Sequence, residues 1–145
     1  MSRNAVNHDD YSDEYIADIL RSVKVIAMVG ASNNELRPSF GVRRFLQRKG
    51  YRVIPVNPGL AGKELDGETV YARLADIPEK VDMVDVFRRR EDLPQVFDEA
   101  IEIGPSVIWT QLGLRDDEAA ARAEAQGIKV VMDRCPAIEM PRLGL

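Results

Sequence analysis

Val25-Ile-Ala-Met-Val-Gly-Ala-Ser32, followed after a polar loop by Arg37-Pro-Ser-Phe-Gly41, reads as a buried strand that opens through a glycine into the start of a helix. In such a turn a parallel strand delivers the loop and Gly30 lets the backbone approach a phosphate closely. The exposed N–H groups at the next helix's N-terminus then attract negative charge. The pattern points to a nucleotide-binding turn, and the rest of the chain has to say which nucleotide.

Outward from that stretch, helix and strand signals alternate. Upstream, Ser12 caps a helix with Asp13 and Glu14 in its first turn and an apolar stripe of Ile16, Ile19, Leu20 and Val23. Lys24 to Gly30 is the first strand. Downstream, Ser39 is read as the cap of a helix with Val42, Phe45 and Leu46 on one face, stopped by Gly50. Arg52 to Val56 is the second strand, ended by the turn Asn57-Pro-Gly59, and the polar stretch through Gly62 and Gly67 to Tyr71–Leu74 has no assigned element. Val81 to Phe87 is a strand. Leu93, Val96, Phe97, Ala100 and Ile101 fall at helical spacing before Gly104, and Ser106 to Thr110 is a further strand. An Ala-rich helix from Asp116 to Gln126 precedes the last strand, Ile128 to Met132. Short β-branched runs separated by helices predict an α/β, Rossmann-like doubly wound sheet of about five parallel strands with helices on both faces.

Composition bounds the function. A chain of 145 residues, 45% hydrophobic and 30% charged, fits one domain with a sizeable core. The division expected is a flexible N-terminal tail over 1–11 and a single domain over 12–145. A formal net charge of −4 gives no overall basic footprint, so no nucleic-acid partner is expected. No apolar run approaches the roughly 20 residues that span a bilayer, and the N-terminus lacks the apolar core of a signal peptide. One cysteine excludes an internal disulfide framework. The expectation is a cytoplasmic protein without a membrane role.

In an open parallel sheet ligands bind outside the carboxyl ends of the strands, near the point where strand order reverses. Those ends are Gly30-Ala-Ser32, Val56-Asn-Pro58, Phe87-Arg-Arg-Arg90, Thr110-Gln-Leu-Gly113 and Asp133-Arg-Cys135. Small residues, hydroxyls, amides and arginines suit recognition of a nucleotide better than catalysis. No acyl-transfer triad and no His/Cys metal cluster is visible. A lysine-tipped phosphate loop for ATP or GTP is absent. The dinucleotide fingerprint lacks its closely spaced glycines, and the second strand ends in Val56-Asn57 where NAD would need an acidic residue. NADP remains open, because Arg37 or Arg88 could meet a ribose phosphate. Coenzyme A (CoA), with a pyrophosphate and a phosphorylated ribose, poses the same polar problem.

Val25 to Ser32, Val53-Ile-Pro-Val-Asn-Pro58, Asp85-Val-Phe-Arg88, Trp109-Thr-Gln111 with Gly113, and Asp133-Arg-Cys-Pro136 with Glu139 and Arg142-Leu143 form an ordered set. Over about Ser12 to Leu143 the chain resembles the small bacterial and archaeal CoA-binding proteins. These are single-domain relatives of the CoA-binding N-terminal domain of the succinyl-CoA synthetase α subunit. The resemblance implies that Gly30, Ala31 and Ser32 hold the CoA phosphates and that Asn57, Pro58, Phe87 and Arg88 flank the nucleotide. It does not carry the ligase activity, which needs a phosphorylated histidine from a second domain and an ATP-binding partner chain. The single histidine here, His8, lies in the tail.

On this reading the pyrophosphate sits over Ser32 and the Ser39 helix start, with Arg37 supplying charge. Adenine lies between the Asn57-Pro58 turn and Phe87, and the pantetheine arm runs toward Gln111, Gly113 and Cys135. Each residue also has a plainer use. Gly30 can serve tight packing, Asn57 the turn, the arginines of 88–90 solvation, and Cys135 burial as a small hydrophobe. A Cys135 facing the crevice would instead be able to form a mixed disulfide with the CoA thiol. Three readings stay open. The first is a CoA or acyl-CoA binding protein without turnover, the second an NADP-dependent oxidoreductase, and the third a domain that works only in a complex. In the last, the alanines of 119–125 would pack on a protein partner or a second copy.

Overall fold

The computed structural model of the chain describes residues 6–145. In chain order the elements begin with α1 (Asp13–Ser22), β1 (Val25–Val29), α2 (Pro38–Arg48), β2 (Arg52–Val56), β3 (Glu64–Leu65) and β4 (Glu68–Thr69). They continue with β5 (Met83–Val86), α3 (Leu93–Ile103), β6 (Val107–Thr110), α4 (Asp117–Ala125), β7 (Lys129–Val131) and α5 (Pro136–Arg142).

Five parallel strands form one sheet in the order β2-β1-β5-β6-β7. Side chains alternate along each strand, so successive residues enter opposite cores. Ala27, Val29, Val84, Val86 and Ile108 face α3 and α4, with Phe97 and the alanines 119, 120 and 123. Ile26, Met28, Met83, Val107 and Trp109 face α1, α2 and α5. Helices cover both faces, which is the doubly wound α/β fold the alternation predicts. Ala119, Ala120 and Ala123 of α4 are accounted for by this packing, since a small side chain lets the helix lie close on β7, while Ala121 and Ala125 are exposed. β1 is the hinge of the topology. The chain moves outward from it to β2, then returns past it to β5, so the loops after β1 and β5 diverge and leave a crevice between their ends.

Helix starts follow their caps. Ser12 accepts the Tyr15 N–H at 3.1 Å and Asp116 accepts the Ala119 N–H at 3.0 Å. Gly104 closes α3 in the left-handed conformation, φ 66°. Ser39 is a correction. α2 begins two residues earlier than a Ser39 cap implies, with Pro38 at its first position and Arg37 at the cap without a side-chain hydrogen bond. Proline's fixed φ and missing N–H suit that first position. Ser39 is therefore inside the helix, and buried.

Of the segment read as a tail, residues 1–5 lie outside the described residues. From residue 6 onward it is tied to the domain. Arg115 reaches Asp9 at 2.7 Å, and His8 bonds the Tyr11 hydroxyl at 2.6 Å and Glu124 at 3.3 Å. The Tyr11 hydroxyl accepts the Met132 N–H at 2.8 Å. The Tyr15 hydroxyl donates to the Val130 carbonyl at 2.9 Å and accepts the Val130 N–H at 3.2 Å. β7 is an edge strand, and two stacked tyrosines thus satisfy the outward backbone groups that an open edge would present.

Burial pushes the Tyr11 phenol up to about 12 and raises that of Tyr15 as well. A folded-state value above the unfolded 10 means the phenols stabilise the fold fully below pH 10, with that stability lost as pH rises through the folded value. Unfolding free energy is expected to fall between about pH 10 and 12. Tyr15→Phe, which orphans both Val130 groups, is expected to cost about 1–2 kcal/mol at neutral pH. Denaturant unfolding of the two proteins at pH 7 and pH 11 checks both.

Candidate functional site

A cavity of about 410 Å³ opens at the carboxyl ends of β1, β5 and β6. The loop after β1 contributes Gly30, Ser32 and Arg37, and the start of α2 contributes Pro38 and Ser39. Asn57 enters from the end of β2, Phe87 and Arg88 from β5, and Gln111, Leu112 and Leu114 from β6. Eight of the residues chosen from the sequence thus line one cavity: Gly30, Ser32, Arg37, Ser39, Asn57, Phe87, Arg88 and Gln111. Its lining holds two guanidinium groups and no carboxylate, in a chain whose net charge is −4.

The other four lie elsewhere. The Ala31 side chain is buried in the α2-side core. The Gly30 and Ala31 N–H groups donate to the Val56 carbonyl at 3.0 and 3.3 Å, so these two amides are engaged within the sheet. β1 simply extends its ladder with β2 by one more carbonyl. Pro58 lines a second cavity of about 270 Å³ on the α3 side of the sheet, with Val29, Val56, Leu74 and Val96. Arg88 lines both cavities, and its guanidinium pairs with Asp92 of the second at 3.4 Å. Gly113 stands outside the cavity lining, its N–H held by Asp133 Oδ1 at 2.6 Å. Cys135 is 5% exposed and packed in the α1/α2/α5 core with Trp109 and Met140, so it does not face the crevice. The Trp109 indole N–H donates to the Arg134 carbonyl at 2.9 Å and draws that turn over the core.

Gly30 has φ +85°, and a Cβ there would stand 2.0 Å from the Phe87 carbonyl oxygen. The glycine is required where β5 crosses beneath the loop. Asn57 ties the two nearest loops together. Its amide nitrogen donates to the Ala31 carbonyl at 2.7 Å and its oxygen accepts the Gly59 N–H at 2.8 Å.

Sequence reading missed Arg43. This side chain is 1% exposed, and its guanidinium donates to the Ser32 carbonyl at 2.9 Å and to Asp66 at 3.0 Å. Arg44 grips the same carboxylate, and the two arginines hold the Asp66 carboxyl below its ordinary range, Arg44 contributing most. The β3–β4 hairpin is thereby pinned to the loop that carries Ser32. The signal was available, since position 43 is four residues after Ser39 and three before Leu46, on the buried stripe of α2. Leu112, within the strand-end stretch Thr110–Gly113 but not singled out, and Leu114, outside it, also line the cavity, and a loop has no periodicity to mark them.

Gln111 Oε1 is buried under the cavity and has no hydrogen-bond partner among the described residues. Such an acceptor is costly unless a ligand or water donates to it. Among the described residues no group of three or more His, Cys, Asp or Glu could hold a metal ion, and no helix is long and apolar enough to cross a membrane.

Comparison with known proteins follows the same geometry. The family described as a CoA binding domain matches residues 24–141. The protein YneT of Bacillus subtilis (strain 168) is 40% identical over 120 residues, covering 83% of this chain and 87% of its own. A solved Thermus thermophilus structure is 40% identical with a TM-score of 0.87, covering 91% of this chain and 98% of that one. An acetyl-coenzyme A synthetase of Ca. Korarchaeum cryptofilum, solved with phosphate and ADP, is 25% identical with a TM-score of 0.63. There the match covers 74% of this chain and 25% of the synthetase.

Proposed function

The chain belongs to the CoA-binding domain family, and from that premise we propose that it binds coenzyme A or an acyl-CoA across the two cavities, without ligase turnover of its own. The observation that carries this reading is the cavity at the switch point of the sheet, lined by Arg37 and Arg88 and by no carboxylate, with Arg88, which also pairs with Asp92 at 3.4 Å, bordering a second cavity. A pyrophosphate beside Ser32 and the start of α2 meets Arg37 and Arg88. The base end of the nucleotide has room beyond Arg88, beside Pro58. The pantetheine arm, which carries amide N–H groups, passes Gln111, whose orphaned oxygen accepts one of them. This assignment uses Ser32, Arg37, Ser39, Asn57, Pro58, Phe87, Arg88 and Gln111. Gly30 acts by shaping the loop, and Cys135 is given no part.

Absence of turnover is supported by the residues themselves. No side chain in the cavity lining pairs a nucleophile with a base. His8 bonds Tyr11 and Glu124 beside the edge strand β7 and is not among the residues lining the cavity.

Calorimetric titration with CoA, acetyl-CoA, NADP, NAD and ATP in one buffer, on protein freed of co-purified ligand by unfolding and refolding, tests the reading. Micromolar binding of CoA, about −8 kcal/mol, with no response to NADP is the expected result. Binding of NADP without CoA would overturn it in favour of an oxidoreductase. Ser32→Glu, which puts a carboxylate where the phosphates bind, is expected to weaken CoA binding at least ~10-fold with an unchanged unfolding midpoint. Unchanged affinity in that variant would place the phosphates elsewhere.

A further inference from the structure

We propose that the ligand is an acyl thioester with an apolar acyl chain, and that this chain lies along Leu112, which lines the first cavity, and extends toward the exposed Leu36 of the loop after β1. The proposal rests on the CoA reading and adds the chemical class of the acyl group.

Three large hydrophobic side chains stand exposed among the described residues: Leu36 at 88%, Leu112 at 52% and Ile138 at 52%. Single exposed leucines are ordinary, but their placement here is not scattered. Leu36 is in the loop after β1, Leu112 in the loop after β6, and Ile138 in the first turn of α5 after β7. All three follow the carboxyl ends of strands in the chain, and of the three Leu112 lines the cavity.

Leu112 is also held in place. The Gln111 N–H donates to the Val86 carbonyl at 3.1 Å and the Leu114 N–H to the Gln111 carbonyl at 3.0 Å. The Thr110 hydroxyl donates to the Leu114 carbonyl at 2.6 Å, and Asp133 holds the intervening Gly113 N–H. A braced turn therefore presents to water an apolar side chain that is 52% exposed. Ordering that turn before the ligand arrives reduces the entropy lost on binding.

The cavity lining carries both kinds of group: Ser32, Arg37 and Arg88 suit an anionic end, and Phe87, Leu112 and Leu114 suit an apolar one. A ligand charged at one end and apolar at the other satisfies both. Free CoA ends in a thiol and leaves the outer leucines uncovered, whereas an aliphatic acyl chain covers them.

Titration of the full chain with CoA, acetyl-CoA and octanoyl-CoA tests this, with Leu112→Ser and Leu36→Ser as variants and light scattering to follow association. Octanoyl-CoA is expected to bind about tenfold more tightly than CoA. That ratio is expected to fall below about threefold in Leu112→Ser and to shrink in Leu36→Ser. Equal binding of CoA and octanoyl-CoA by the unaltered chain would overturn the acyl proposal and leave the CoA reading standing. Failure of all three ligands would remove that reading and the proposal with it. A ratio retained in both variants would route the chain elsewhere. Dimers that dissociate in the serine variants while the ratio stays constant would make the leucines a protein contact instead, and would equally overturn the proposal.

Discussion

Gly30→Ala is expected to destabilise the protein by about 3 kcal/mol or more, or to prevent folding at 37 °C, and to remove ligand binding in whatever fraction still folds. Two costs combine. At φ +85° an alanine is held in a conformation that L side chains avoid, and its Cβ would stand 2.0 Å from the Phe87 carbonyl oxygen and 2.9 Å from its carbon. Those atoms are backbone and cannot rotate away. Phe87 is itself bonded to β1, its N–H donating to the Val29 carbonyl at 2.8 Å, so relief requires parting β1 from β5 where the cavity opens. Gly41→Ala is the matched control. This glycine lies within α2, and a Cβ there meets nothing within 4 Å. Alanine should stabilise it by about 0.5–1 kcal/mol, because it loses less backbone freedom on folding. Unfolding midpoints of the two variants moving in opposite directions would separate steric need from glycine content. A mild effect at Gly30 would mean that the approach of β5 is not what fixes this loop.

The contrast between these glycines shows what the sequence could say. A strand, a glycine and a helix start were legible as a pattern, and so were Arg52–Val56, the Ser12 cap and the Gly104 stop, because each depends on local periodicity or on one residue's backbone preference. The reason for Gly30 was not legible, since it arises from the Phe87 carbonyl of a strand far along the chain. The same holds for the Gly30 and Ala31 amides, consumed by Val56, and for Arg43, whose buried charge is tolerable only because Ser32 and Asp66 converge on it. The β3–β4 hairpin has two-residue strands, too short to show alternation. α5 carries Pro141 inside seven residues, which local rules would count against a helix. In the site, residues at strand ends were found because topology places them there. Cys135 was misplaced because strand-end position does not reveal which way a following turn folds, and here Trp109 draws it inward.

Asp85 should make the stability of the fold depend on pH in the opposite sense from ordinary carboxylates. It lies in the central strand β5, between Met28 of β1 and Trp109 of β6 in register, fully buried, with no hydrogen-bond partner for either oxygen among the described residues. Burial pushes its carboxyl up to about 8. The folded state therefore holds a proton that the unfolded chain releases near 4. The stabilising protonated form is complete below the unfolded value and is lost as pH rises through the folded one, so unfolding free energy should fall between about pH 4 and pH 8 and then level off. The steepest slope a single group can give is about 1.4 kcal/mol per pH unit, which over such a window amounts to several kcal/mol. Asp85→Asn keeps the shape and removes the ionisation. It should match the unaltered chain near pH 4, exceed its stability at pH 8, and lose this contribution to the slope. Denaturant unfolding at both pH values reads the difference directly. If the two proteins ran parallel across the range, Asp85 would have to be ionised in the fold and held by a partner. The layer above it on the same face of the sheet, where Phe87 and Gln111 line the cavity, would be the place to find one.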